Sequence, residues 1–182
     1  MIIILGVAGS GKSTQSKLLA SREGFTWVSM GEVLRGHITD DRKSDMLAGK
    51  MLDEHQVIEI LTPILDAHGD TADVILDGFP RGLHQAEWLL AKKDNGDYRI
   101  DAVVHLSVHE SIARARLHER GRQDDNDQAI AERFYEYEHT IKPIVALMQA
   151  KNIPIIDINT EQAPEDVFAT IISSLQAAGV AV

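Results

Sequence analysis

Met1-Ile2-Ile3-Ile4-Leu5-Gly6-Val7-Ala8-Gly9-Ser10-Gly11-Lys12-Ser13-Thr14 decides how the remainder of the chain is read. Its uninterrupted apolar opening describes a strand covered on both faces, because a half-exposed strand would alternate. The run is too short to cross a membrane and lacks a basic leader or a cleavage region. Gly6 to Ser13 then fits G-x-x-x-x-G-K-[ST], placed between a strand and a helix-like segment as that motif requires. The glycines let successive N–H groups turn inward at phosphate oxygens, and the helix start adds partial positive charge there. In that setting Lys12 reaches the β- and γ-phosphates and the Ser13 hydroxyl meets Mg²⁺. A chance match in a chain of this length is roughly a one-in-a-hundred event, and the strand–helix context lowers the odds again. Gly9, Ser10, Gly11, Lys12, Ser13 and Thr14 are therefore the expected triphosphate-binding residues, while the reaction stays open.

Four further apolar runs follow, at Thr26–Ser29, Asp73–Asp77, Asp101–Ser107 and Ile153–Ile158. Helix-like segments lie between and after them, at roughly Lys12–Ser21, Asp53–Ala67, Gly82–Lys93, Glu110–Arg120, Asn126–Lys151 and Glu165–Ala178. Strands alternating with helices predict an α/β fold of the P-loop nucleoside triphosphate hydrolase type: a five-stranded parallel sheet with helices on both faces. Right-handed crossovers bring the C-terminal strand ends to one edge, where ligands bind. Ser107 with Glu110 has capping-box spacing. Asn95-Gly96 signals a turn, and Pro164 suits a first helical turn. Pro143 falls inside a helical pattern and predicts a break near Thr140. With no repeat and no linker, residues 1–182 read as one domain carrying two excursions, near 30–60 and 119–127.

Composition narrows the function classes. The 182 residues are 44% hydrophobic and 25% charged, ordinary for a globular domain. A formal net charge of −10, from 18 basic and 28 acidic side chains, argues against a nucleic-acid footprint. It leaves room for a small phosphorylated ligand, which needs only a few placed cations. The absence of cysteine excludes disulfides and thiolate metal sites and suits a reducing compartment, so the expectation is a cytoplasmic protein without a membrane partner. The eight histidines form no ligand cluster in sequence and are read as surface or packing residues.

Asp73-Val74-Ile75-Leu76-Asp77-Gly78-Phe79-Pro80-Arg81, followed by Gln85-Ala86, points toward a reaction. Asp77 ends a strand beside the phosphate loop, where a carboxylate can hold the water shell of Mg²⁺. Asp-Gly-Phe-Pro-Arg with the downstream Gln-Ala resembles the signature of adenylate kinases and other nucleoside monophosphate kinases. Ser29-Met30-Gly31-Glu32-Val33-Leu34-Arg35 is similar to that family's segment after the second strand, and Gly49-Lys50-Met51-Leu52 to the stretch that walls the acceptor base. Arg116, Arg120, Arg122, Asp124, Asp125 and Arg133 match the family's later arginines and aspartates in order.

The resemblance implies transfer of a phosphoryl group from Mg-ATP to a nucleoside monophosphate, with AMP leading, by a monomer without zinc. It implies that Arg35 and Arg81 grip the monophosphate and that Gln85 bonds the acceptor base, with Met30, Gly31, Leu52 and Gly78 around it. Arg116 then packs on the ATP base. Arg120, Arg122 and Arg133 close over the moving phosphoryl, and Asp124 and Asp125 orient them. The chemistry agrees: the acceptor is already an anionic oxygen, so the task is alignment and charge stabilisation rather than proton removal. Guanidinium forks bind phosphate bidentately. Arg116 and Arg120 share a helix face, and Arg114, off that face, reads as solvated surface.

This chain departs from the family pattern at Met30, where adenylate kinases carry threonine, and at Glu32, which replaces an aspartate. A single glycine separates Arg120 from Arg122, which leaves a very short lid. A pyrimidine or deoxynucleotide kinase, a phosphate-loop kinase of small metabolites and a non-catalytic nucleotide sensor are the competing readings.

Overall fold

A computed structural model describes residues 1–37, 53–122 and 125–182. Gly49, Lys50, Met51, Leu52 and Asp124, singled out above, lie outside the described residues. In chain order the elements are β1 (Ile2–Gly6), α1 (Lys12–Glu23), β2 (Thr26–Ser29), α2 (Met30–His37), α3 (Glu54–Asp66), β3 (Val74–Asp77) and α4 (Leu83–Asp94). Then come β4 (Ala102–Ser107), α5 (Glu110–Arg120), α6 (Asp127–Glu136), a π-helical turn (Tyr137–Ile141), α7 (Lys142–Ala150), β5 (Ile155–Asn159) and α8 (Pro164–Ala177). The five strands form one parallel sheet in the order β2-β3-β1-β4-β5. This is the α/β architecture expected from the sequence. The order reverses at β1, which lies between β3 and β4, and that reversal opens a crevice at the C-terminal strand ends.

Burial on both faces explains the apolar opening. Ile3 and Leu5 face one core cluster with Val57, Leu61 and Leu65 of α3, Ala86 and Leu89 of α4, and Ile144 and Met148 of α7. Ile2 and Ile4 face the other, with Leu19 of α1 and Val167, Phe168, Ile171 and Leu175 of α8. β5 differs: Ile156 and Ile158 are buried while Asp157 and Asn159 are exposed. It is one of the two edge strands, and only one of its faces is fully covered. No helix among the described residues is long and apolar enough to cross a membrane.

Several local expectations need correction. The segment Met30–His37 forms a helix that the sequence reading had not separated from the excursion around it. The α5 N-cap is His109, whose imidazole accepts from the Ser111 N–H, so the Ser107–Glu110 capping box is not used. The Ser107 hydroxyl instead donates to Ile158 O across the sheet. Arg114 lies at the surface as expected, 33% exposed, where it donates to Glu110 and lies over the Phe134 ring. Pro63 sits inside α3, a position the pattern alone did not flag.

The expected break near Thr140 takes the form of the π-helical turn. Pro143 has no N–H for the usual bond to the carbonyl four residues back, and the wider turn before it absorbs the mismatch. Tyr137 opens that turn and is buried. Its hydroxyl meets His105 Nε2 at 3.0 Å, and His105 Nδ1 meets Asp157 Oδ1 at 2.7 Å. The carboxylate accepts a hydrogen bond from Nδ1–H, so on the neutral ring Nε2 accepts from the phenol. This chain of bonds ties the turn to β4 and β5, and the His105 and Tyr137 rings stack with 5.8 Å between centroids. Tyr137→Phe should leave a buried imidazole nitrogen without its partner and lower stability by about 1–3 kcal/mol. Urea unfolding monitored by circular dichroism checks this; an unchanged midpoint would mean that the hydroxyl does not anchor the turn.

Candidate active site

The phosphate loop grips its surroundings so closely that two glycines are obligatory. A Cβ at Gly6 would run into Leu106 O of β4, and one at Gly9 would lie 2.6 Å from Ala113 O of α5. Gly9 and Gly11 also have φ of +81° and +87°, in the left-handed region that favours glycine. Packed this way, the loop sits directly above the sheet edge with its helix start aimed into the crevice. Lys12 bends back over it, donating to Gly6 O at 2.8 Å and Val7 O at 2.9 Å. Ser13 Oγ donates to Asp77 Oδ2 at 2.8 Å, and the Trp27 indole reaches the same oxygen at 3.4 Å.

The crevice is a cleft of about 990 Å³, at the upper end of the range for a single drug-sized ligand. Among the described residues eight basic side chains line it against four acidic ones, in a chain of net charge −10. The cations are thus concentrated on one concave surface, the arrangement that draws in and holds polyphosphate anions.

Most residues named from the sequence meet there. Gly9, Gly11, Lys12, Ser13, Thr14 and Arg116 line the loop side, and Met30, Gly31, Arg35, Gly78, Arg81 and Gln85 line the opposite side. Arg120, Arg122 and Arg133 line the same cleft, as does Asp77 at the end of β3. Ser10 is the exception within the loop. Its side chain is fully buried and its N–H is turned inward to Val7 O, so it supports the loop from beneath. The Arg116 guanidinium is held by Thr160 O at 2.7 Å and Gly9 O at 3.4 Å, which ties α5 to the phosphate loop.

Two arginines are oriented by carboxylates in the same manner. Arg120 gives its Nε and Nη2 to Asp125 at 2.8 and 2.6 Å, and Arg81 gives the same edge to Glu136 at 2.9 and 2.7 Å. Each keeps Nη1 without a partner among the described residues. A guanidinium held on one edge presents the other, already aligned, to a phosphate. Asp125 also accepts from Arg133 and from the Arg122 N–H. Burial would raise the Asp125 carboxyl, but the charge and hydrogen bonds of Arg120, with those of Arg122 and Arg133, hold it below the usual carboxylate range. Sequence reading missed Glu136. Its only signal is its place three residues after Arg133, which puts both on one face of α6.

The donor set for a metal consists of hard oxygens: the Ser13 hydroxyl and the Asp77 carboxylate. Among the described residues no group of three or more His, Cys, Asp or Glu is placed to hold an ion. A site with one carboxylate fits Mg²⁺ that arrives with phosphate oxygens and keeps its waters, rather than a metal caged by protein alone.

Burial within its loop pushes Lys12 down to about 8, with Asp77 opposing and Arg81 adding to the shift. The unliganded ammonium therefore loses its proton as pH rises through about 8, whereas a bound polyphosphate restores it. ATP binding at about pH 8.5 should take up protons, and its affinity should fall above that pH by up to about tenfold per unit. Calorimetric titrations in buffers of different ionisation enthalpy measure this; equal heats in all buffers would remove Lys12 from the phosphate contact. The same shift has the opposite sign for folding. The unfolded chain binds more protons between about 8 and the ordinary lysine value of 10.5, so stability rises with pH across that window.

A family model described as "Adenylate kinase" matches residues 4–153. The adenylate kinase of Corynebacterium urealyticum is 29% identical over 180 residues, covering 96% of this chain and 98% of its own length. That of Porphyromonas gingivalis is 32% identical over 162 residues, 84% of either chain. That of Phocaeicola vulgatus is 33% identical over 154 residues, 79% of this chain and 82% of its own. A cradle, an arginine cluster and a similarity that run together through most of the sequence have one common explanation: the chain belongs to the adenylate kinase family.

Proposed function

We propose that this protein catalyses reversible transfer of the γ-phosphoryl group of Mg-ATP to a nucleoside monophosphate, with AMP as the acceptor. One observation carries the reading. Arg81 and Arg120, each clamped on one edge by a carboxylate, line one cleft of about 990 Å³ together with a phosphate loop and its lysine. The names of the relatives support the same activity.

In this reading Gly9, Gly11, Lys12, Ser13 and Thr14 bind the ATP phosphates and Arg116 supports the base. Arg35 and Arg81 hold the acceptor phosphate, and Arg120, Arg122 and Arg133 spread the charge that develops on the transferring group. Ser13 and Asp77 would hold Mg²⁺, which when bound would offset the charge of the ATP phosphates. Phosphate oxygen is itself the nucleophile, so the residues need only align two anions and shield them from water. The excursions near 30–60 and 119–127 close on one kinase domain for that purpose, with Asp124 and Asp125 orienting the lid arginines. The working unit is a monomer in the cytoplasm, without nucleic acid or membrane as partner.

Gln85 supports adenine in particular. It is buried, and its Oε1 accepts from the Arg81 N–H at 2.8 Å, which fixes the amide and keeps its Nε2 donors available to a base. The pairing-edge ring nitrogens of adenine and cytosine accept a hydrogen bond, whereas those of guanine and uracil carry a proton. An amide N–H placed against the ring nitrogen of the pairing edge therefore favours adenine over guanine and uracil, whose nitrogen there is already protonated. Met30, buried in the wall of the cleft, distinguishes this pocket from relatives with threonine.

A coupled assay over AMP, CMP, UMP, GMP and dAMP should give turnover with AMP foremost and little with UMP or GMP. No activity with AMP would overturn the acceptor assignment, and no turnover of any monophosphate despite ATP binding would indicate a sensor. Lys12→Ala and Arg81→Ala should each lower kcat by about a hundredfold or more while circular dichroism stays unchanged; near-normal rates would take these residues out of the mechanism.

A further inference from the structure

We infer that Glu136 is the positioning residue that sets Arg81 for the acceptor phosphate, an assignment that rests on the kinase reading above. A carboxylate on the wall of a cleft built for polyanions is costly, since it repels every phosphate that enters. Glu136 lines that cleft, and its side chain is only 15% exposed. It compensates by fixing geometry. Its two oxygens take the Nε–Nη2 edge of Arg81 at 2.9 and 2.7 Å, which immobilises a guanidinium whose side chain is otherwise 42% exposed and turns its other edge to the cleft.

The backbone that carries Glu136 is itself fixed. Tyr137, the next residue, is tied through His105 to Asp157 on β5. One turn earlier on α6, Arg133 shares Asp125 with Arg120. One helix thus carries a clamp for the acceptor-side arginine and a member of the lid cluster. Arg81 comes from the loop after β3, so the Glu136 bridge links that loop to α6 through side chains.

Glu136→Gln separates the two consequences of this carboxylate because they have opposite signs. If Glu136 acts only through its charge, removing the charge relieves repulsion, and both nucleotides bind as well or better. If it positions Arg81, the neutral amide cannot hold both guanidinium nitrogens, and the acceptor is bound worse although the cleft has become more positive. We expect the KM for AMP to rise about tenfold or more and kcat to fall, with the KM for ATP within about twofold of wild type. Calorimetric AMP and ATP affinities should split in the same way, with an unchanged circular dichroism spectrum.

An AMP KM that falls or stays level, or AMP and ATP constants that rise together, would overturn the assignment. Should Glu136→Gln fail to fold, Glu136→Asp takes its place: the charge stays but is withdrawn by one methylene, and the AMP constant should again rise more than the ATP constant. Wild-type protein that turns over no monophosphate would instead defeat the kinase reading, which keeps the two failures distinct.

Discussion

Crowding of positive charge is the constraint that organises this molecule. Eight cationic side chains converge on one cleft, and without a ligand their mutual repulsion would splay them into solvent. Neutralising them one for one would destroy the site. The fold instead holds them from behind, with carboxylates that occupy one edge of a guanidinium and leave the other. Asp125 does this for Arg120 and Glu136 for Arg81, Asp125 also accepts from Arg133, and backbone carbonyls of the phosphate loop hold Lys12. The strain of assembly is met when the chain folds, so that little rearrangement is left for the moment when phosphates arrive.

The sheet makes such placement possible. β1 is buried on both faces, so its end point is among the most rigidly fixed positions in the chain, and the phosphate loop grows directly from it. β3 ends beside it with Asp77, and its following loop supplies Gly78 and Arg81. α5 returns from β4 so closely over the loop that Gly9 abuts Ala113. Three strand ends thus bring together residues far apart in sequence, and the tight contacts at Gly6 and Gly9 exclude small drifts that would misalign reacting groups.

Much of this was legible in the sequence, for identifiable reasons. The strands could be read because burial on both faces demands unbroken apolar runs, and the phosphate loop because its backbone conformation demands glycine at fixed spacing. Lys12, Arg81, Arg120 and Arg133 could be named because motif order carries them. What escaped was whatever depends on partners distant in the chain. Glu136 gains its meaning only when Arg81, 55 positions earlier, is folded against it. His105 read as ordinary packing, since nothing local reveals Tyr137 on one side of its ring and Asp157 on the other. The capping box at Ser107 failed because β4 keeps that residue in the sheet, where its hydroxyl finds Ile158 instead. The helix at Met30–His37 was hidden because Met30, Gly31 and Arg35 drew attention as contacts rather than as consecutive turns.

The π-helical turn at Tyr137–Ile141 separates two obligations that a continuous α-helix would have to meet with one face. An extra residue in a turn swings everything beyond it by about 100°. α6 can therefore direct Arg133 and Glu136 into the cleft, while α7 directs Ile144 and Met148 into the core. Substitutions on one segment are insulated from the packing of the other. A lineage could retune its nucleotide contacts along α6 and leave the hydrophobic seam of α7 untouched, like changing the bit of a key without recutting its shaft.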